Sequence, residues 1–312
     1  MKEKELTEKT CALFPNARGV HIEKSAKTNF DFSSYIQNKP SHVKEYDISF
    51  LEWFIGFAEG DGCFLVQYNY PTFIINQAET QVLYYLRTKL GFGSVSTYDQ
   101  EGSTYARYWV KNKQSIFRLL CLFNGNIHLE KVDKNFKKWL EQANKKFGWN
   151  FSLKPRRNPN LISLQNAWFA GFFDAEGSCY ANATETNRMN HGFRLRLKAF
   201  IVQKFEYTVL QQIANLLKSS SVRVRNKENT HFCVEFFSKE SLALIVKYLD
   251  TYKLRSKKKN TFAIWRRLVN NYLDSSYLTM DSVLLKRRIQ RVKNSNWTPR
   301  VWPLAPASPP VP

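Results

Sequence analysis

Two short acidic stretches are the places where this chain could do chemistry. Glu59-Gly60-Asp61-Gly62 and Asp174-Ala175-Glu176-Gly177 both read acid–small–acid–Gly, and the second follows the first by 115 positions. Each closes an apolar run, Trp53-Phe54-Ile55-Gly56-Phe57-Ala58 and Trp168-Phe169-Ala170-Gly171-Phe172-Phe173. Those runs read as helices, so Asp61 and Glu176 fall just past two helix C-termini. The helix macrodipole is negative there, which is unfavourable for a carboxylate. Two such carboxylates brought together would repel unless a cation lay between them. Hard oxygen donors with open positions suit Mg2+, with Mn2+ as the alternative ion. A site of that kind can activate water and stabilise a leaving oxygen in phosphodiester hydrolysis. Glu59 and Asp174 stand two residues earlier, point elsewhere, and are expected to support structure.

The small residues say how the two acids could meet. Gly56 and Gly60 are four apart and share a helix face, as do Gly171 and Ala175. Side-chain bulk sets the distance between packed helices. A glycine inside a helix costs ~1 kcal/mol relative to alanine, so its recurrence points to a packing need. The two motif helices are therefore expected to pack on each other as the domain interface. Ser49-Phe50-Leu51-Glu52 reads as a capping box at the start of the first.

After Gly62 the apolar period changes from helical to two, with Phe64, Val66 and Tyr68 alternating against Leu65, Gln67 and Asn69. A return strand over 72–77 follows, then a helix with Val82, Leu83, Leu86 and Leu90 on one face. Strands over 94–99 and 104–111 and helices over 112–124 and 130–147 complete an αββαββα unit. Residues 149–162 hold two prolines and read as a linker. The unit restarts with strands over 178–186 and 193–203, a helix over 205–218, strands over 221–227 and 230–237, and helices over 238–250 and 257–273. Val82, Leu86 and Leu90 return as Val209, Ile213 and Leu217, now 127 positions on. The drift from 115 to 127 gives copy two a longer first hairpin. The expected organisation is an extension (1–45), a first domain (46–148), the linker (149–162), a second domain (163–275) and a C-terminal segment (276–312). That last segment contains one more basic helix over 283–293 and a Pro-rich tail.

Composition narrows the partner. The 312 residues carry 47 Lys+Arg against 26 Asp+Glu, a net charge of +21. So basic a chain meets a polyanion, and nucleic acid comes first. Five cysteines without a C-x-x-C pair and five scattered histidines exclude a disulfide framework and a Cys-based zinc site. No apolar run approaches the ~18 residues of a membrane span, so no membrane partner is expected. The N-terminus has neither signal-peptide nor transit-peptide character. Basic residues alternate with apolar ones along the strands: Arg194, Arg196 and Lys198; Arg223, Arg225 and Lys227; Tyr105, Arg107, Trp109 and Lys111. Period two puts each set on one sheet face. A β-ribbon in the major groove reads base edges, and Gln67, Asn69, Tyr180, Asn182, Thr184, Arg194 and Arg196 are the candidate readers. Lys154, Arg156, Arg157 and Lys286-Arg287-Arg288 suit phosphate contact.

Residues 53–62 and 168–177, WFIGFAEGDG and WFAGFFDAEG, resemble the two namesake motifs of a LAGLIDADG homing endonuclease in its single-chain, two-repeat form. The resemblance covers about residues 46–275. It implies an α/β (α+β) fold of two tandem αββαββα domains, a pseudo-twofold saddle whose antiparallel sheets straddle DNA. It implies cutting of both strands of a long site with short 3′ overhangs. In the family the last acid of each motif binds metal, which here matches Asp61 and Glu176, with the neighbouring carbonyls of Gly60 and Ala175 joining the shell. A polar residue ending the second strand matches Gln77 and Gln203. A lysine near the end of the fourth strand matches Lys111; copy two has Phe237 there, with Lys239 two residues on. The expected protein is a monomeric, Mg2+-dependent, site-specific double-strand DNA endonuclease, intron-encoded in a mitochondrial or chloroplast genome. The alternatives are a maturase that binds its group I intron RNA, with or without retained cleavage, and a DNA-binding regulator that has lost an acid. Both acids are present.

Overall fold

The structure is a computed structural model that describes residues 30–295 except 101, 156–161, 189–191, 220, 227 and 229. A short helix α1 (Ser33–Asn38) precedes the first repeat, which runs α2 (Ile48–Asp61), β1 (Gly62–Gln67), β2 (Tyr70–Gln77), α3 (Thr80–Leu90), β3 (Ser94–Gln100), β4 (Ser103–Val110), α4 (Lys113–Phe123) and α5 (Glu130–Phe147). The second repeat runs α6 (Trp168–Glu176), β5 (Gly177–Glu185), β6 (Phe193–Lys204), α7 (Tyr207–Leu216), β7 (Arg223–Val224), β8 (His231–Phe236), α8 (Lys239–Thr251) and α9 (Lys258–Leu273), and α10 (Ser282–Ser295) follows. Each repeat thus ends in two helices. The sheets are antiparallel with the same order, β1-β2-β4-β3 and β5-β6-β8-β7.

The apolar motif runs dictate the centre. A helix that is hydrophobic all round has to be buried, and α2 is buried from Phe50 to Glu59, α6 from Trp168 to Asp174. They pack on each other with almost no side chain between them. A Cβ built on Gly56 would stand 2.0 Å from the Trp168 carbonyl oxygen, and one on Gly171 would stand 1.9 Å from that of Trp53. Gly60 meets Ala175 in the same way, its built Cβ lying 2.4 Å from the Ala175 Cβ. Gly56, Gly60, Gly171 and Ala175 all lie where α2 and α6 meet.

Strand alternation then gives each sheet a helix-covered face and an open face. On β6, Leu195, Leu197, Ala199 and Ile201 are buried, while Arg194 and Arg196 are exposed and Lys198 is half-buried. The last helices clamp the first hairpins: Trp139 Nε1 donates to the Thr72 carbonyl and Trp265 Nε1 to that of Tyr180, both at 3.1 Å. The second hairpin is the longer, with strands of 9 and 12 residues against 6 and 8 in the first.

Two expectations are corrected. The N-cap of α2 is Asp47, whose side chain accepts from the Ser49 N–H. Glu52 makes no capping box; it is buried and accepts from the Ala167 N–H at 2.9 Å, holding the start of α6. The strand expected over 221–227 shortens to Arg223–Val224, and Val224 is 49% exposed, so this segment has no buried face to sustain alternation. Arg223 and Arg225 remain exposed beside it, and Lys227 lies outside the described residues. Within the N-terminal extension, Phe30, Phe32 and Tyr35 are buried against the first repeat. Arg156, Arg157 and the Pro-rich tail lie outside the described residues.

Candidate active site

The two acids are brought together by the helix crossing. Asp61 and Glu176 are the last residues of α2 and α6. The Cβ built on Gly60 would lie 3.1 Å from the Glu176 side chain, so the two helix ends touch at this level. Both negative dipole ends converge here. Gln77, at the end of β2, donates its amide to Asp61 Oδ2 at 2.6 Å. Gln203 holds the equivalent place at the end of β6, half-buried, with no side-chain hydrogen bond among the described residues.

Lys111 is not part of this cluster. Val110 pairs with Phe73 while Ala106 pairs with Gln77. Lys111 therefore sits opposite Thr72, five residues along β2 from Gln77, or roughly 16 Å at ~3.3 Å per residue. Its backbone carbonyl accepts from the Tyr70 hydroxyl, near the hairpin tip, and its ammonium lies over the Trp109 ring. Phe237 is exposed, and Lys239 lies over Tyr272.

Two other lysines stand nearer the motif strands. Lys258, the first residue of α9, donates its ammonium to the carbonyls of Ala175 (2.8 Å) and Phe173 (3.3 Å) at the end of α6. Lys131, 127 positions earlier, occupies the same turn of α5. Burial raises the thiols of Cys63 and Cys179, the latter to about 12, and the charges of Lys131 and Lys258 respectively pull them back. Each lysine thus stands beside the strand that leaves its own motif acid. Extending the repeat from the apolar positions to the helix starts would have found this pair, because it keeps the 127 offset of Val82 and Val209.

Glu59 and Asp174 bind the halves together and stay out of the cluster. The Glu59 carboxylate accepts from the backbone N–H groups of His128 and Leu129, just before α5, and from Trp168 Nε1 of the opposite motif helix. Asp174 does the same with the N–H groups of Arg255 and Ser256, just before α9, and with Trp53 Nε1. Burial raises both acids, Glu59 to about 8, against the pull of these donors. A second reciprocal pair crosses the interface: Glu79 accepts from the Lys257 N–H and Glu206 from that of Lys131.

The residues named as candidate base readers lie at the first hairpin and on the open face of the second sheet. Gln67 and Asn69 are exposed at the first hairpin, where Tyr68 and Asn69 adopt left-handed φ of 51° and 60°, as a two-residue hairpin turn requires. Arg107 donates to Asn76 Oδ1 at 2.8 Å and lies over Tyr98, beside the half-buried Trp109. In the second sheet Asn182 pairs with Arg196, Thr184 with Arg194 and Tyr180 with Lys198, all on the open face. Lys198 is partnered: its ammonium bonds Glu235 and lies over Tyr180 and Phe200. Arg223 reaches the same Glu235 at 3.6 Å.

Residues 169–269 match the family model described as LAGLIDADG endonuclease. A probable intron-encoded endonuclease 4 of Neurospora crassa is 32% identical over 250 residues, which are 79% of this chain and 44% of that protein. The intron-encoded RNA maturase bI4 of Saccharomyces cerevisiae is 30% identical over 141 residues, 44% of this chain and 20% of that protein. The chain thus spans less than half the length of either relative. The I-LtrWI LAGLIDADG homing endonuclease, solved bound to its target DNA, superposes with a TM-score of 0.61 over 82% of this chain and 100% of its own, at 17% identity. That likeness establishes a common fold, and the duplicated motifs at the helix crossing sit at its centre. The chain belongs to the LAGLIDADG endonuclease family, in the form that joins two motif-bearing repeats in one polypeptide.

Proposed function

We propose that this chain is a site-specific endonuclease that cuts both strands of duplex DNA by metal-assisted phosphodiester hydrolysis. One observation carries the reading: a side-chain-free helix crossing brings one carboxylate from each repeat, Asp61 and Glu176, to the base of two sheets with basic open faces. One chain supplies both halves, so a monomer suffices.

The donor set fits a divalent ion. Two carboxylates and the carbonyls of Gly60 and Ala175 are hard oxygen donors, and an ammonium, that of Lys258, already rests on the Ala175 carbonyl. Among the described residues no group of three or more His, Cys, Asp or Glu side chains could hold a metal, so water and phosphate oxygens would have to supply the remaining donors. Asp61 and Glu176 would hold Mg2+, or Mn2+ in its stead. When bound, the ion supplies Lewis-acid activation of water and charge stabilisation at the leaving oxygen. The chain's own groups do the rest. Gln77 fixes the Asp61 carboxylate and presents its amide oxygen to water. Lys131 and Lys258 place positive charge where the phosphate gains negative charge in the transition state. The sheet arginines and lysines supply register and salt-sensitive affinity.

The test uses a duplex spanning the uninterrupted host-gene site. Cleavage is expected with Mg2+ and binding without cleavage with Ca2+. Asp61→Asn and Glu176→Gln should each bind and fail to cut; full activity in both would overturn the site assignment. A second reading, an intron RNA maturase on the same fold, is favoured by the likeness to the yeast maturase. Binding to the intron RNA with no cutting of the duplex would select it. Intron-encoded relatives and a composition rich in Lys, Asn and Phe support encoding in an organelle intron, mitochondrial or chloroplast.

A further inference from the structure

The last helix among the described residues, α10, has no counterpart in the first repeat, whose α5 runs into the linker. Leu285, Ile289 and Val292 fall on one of its faces and are buried, docking it on α9 and β5. The rest of its sequence, SVLLKRRIQRVKNS, carries five basic residues and no acid. Docking sets two of these charges, Lys286 and Lys293, beside β5. The Lys293 ammonium donates to Asn182 Oδ1 at 2.8 Å, and Lys286 stands 4.0 Å from Glu185 at the end of β5. Asn182 lies on the open face, paired with the exposed Arg196. β5 is the outer strand of its sheet, so α10 flanks the reading face at its margin.

We propose that α10 is a phosphate-binding helix that grips the duplex backbone beyond the base-reading strands on the side of the second repeat. The inference rests on the DNA-endonuclease reading and adds a polarity to it. The protein's grip is longer on one side, where the longer hairpin and α10 lie together. The Lys286–Glu185 pair is exposed on both sides, and such pairs contribute little, so a phosphate can replace the glutamate. The buried stripe fixes the helix beforehand, so binding need not order it.

The test compares Lys286→Gln/Lys293→Gln with Lys137→Gln/Lys138→Gln, an equal charge change on the exposed outer side of α5. The dissociation constant of the full chain for a random-sequence 40-base-pair duplex is measured against salt, in Ca2+. Each phosphate contact contributes about 0.9 to the slope of log K against log salt. The α10 variant should lose about 2 in slope and at least tenfold in affinity at low salt, with the α5 variant unchanged. Equal slopes in the two variants would overturn the proposal, as would a loss seen on double-stranded RNA and not on DNA. Failure of the unaltered chain to bind any duplex would refute the endonuclease reading itself and this inference with it.

Discussion

At the residue scale, the proposed mechanism gives each half-site a lysine beside its acid. Lys258 is held by two carbonyls at the end of α6, and Lys131 stands at the same turn of the other repeat. A fixed ammonium beside a developing phosphate charge acts like a preorganised donor, and removing one such donor costs about 10²–10³ in rate. Lys258→Met should therefore slow cleavage of one strand by about 10²-fold and Lys131→Met that of the other, with binding in Ca2+ within a few-fold of normal. Single-turnover cleavage with the two strands separately labelled reads this out. Lys111→Met should leave both rates unchanged, since its side chain stands far along the sheet from Gln77. An equal effect of Lys258→Met on both strands would contradict the assignment of one lysine to each half-site.

At the scale of elements, the α2–α6 crossing holds the two acids in place. Its tolerance for change is small, because backbone meets backbone there. A methyl at position 56 would stand 2.0 Å from a carbonyl oxygen that belongs to α6 itself, with no flexible side chain to give way. Gly56→Ala should destabilise the fold by about 3 kcal/mol or more, at the upper end of overpacking effects. Urea unfolding followed by tryptophan fluorescence measures it, and a change under about 1 kcal/mol would show that the helices can part without penalty. Gly102→Ala makes a fair contrast, since a Cβ there meets nothing within 4 Å and only its left-handed φ of 73° costs energy.

At the scale of the whole molecule, the two repeats are one folding unit. A single core runs through both, and Glu59, Asp174, Glu79 and Glu206 each tie the start of a last helix or its approach. This carries a pH dependence. Burial raises Glu59 from 4.5 to about 8 and raises Asp174 as well. Between the ordinary and the raised values the folded chain holds protons that the unfolded chain has released, so stability falls as pH rises. The melting temperature should decline from about pH 5 to about pH 8, and Glu59→Gln should flatten part of that decline while weakening the clasp by about 1–3 kcal/mol, since its amide faces N–H donors. A melting temperature that rises across this range would show that the N–H donors outweigh burial.

The sequence by itself determined the repeat, the acid that ends each motif, the small-residue face of each motif helix and the alternation of the long strands β5 and β6. All of these follow from residues a few positions apart: a 3.6 or two-residue period, an acid after an apolar run, two small residues one turn apart. The tertiary structure decided which distant groups meet. Lys131 and Lys258 lie 70 and 82 positions from Asp61 and Glu176, and the fold of the last helices brings Lys258 to the end of the second motif helix and Lys131 to the same turn of the first repeat. Glu52, legible as part of a capping box, caps the other motif helix instead. The basic helix at 283–293 was legible from its composition, but its seat along β5 depends on which face of α9 remains open after the sheet is covered. Local periodicity gives each element its inner and outer side. Burial of the whole core then selects which element ends come together, and in this chain that selection places Lys258 at the end of α6 and the two motif acids side by side.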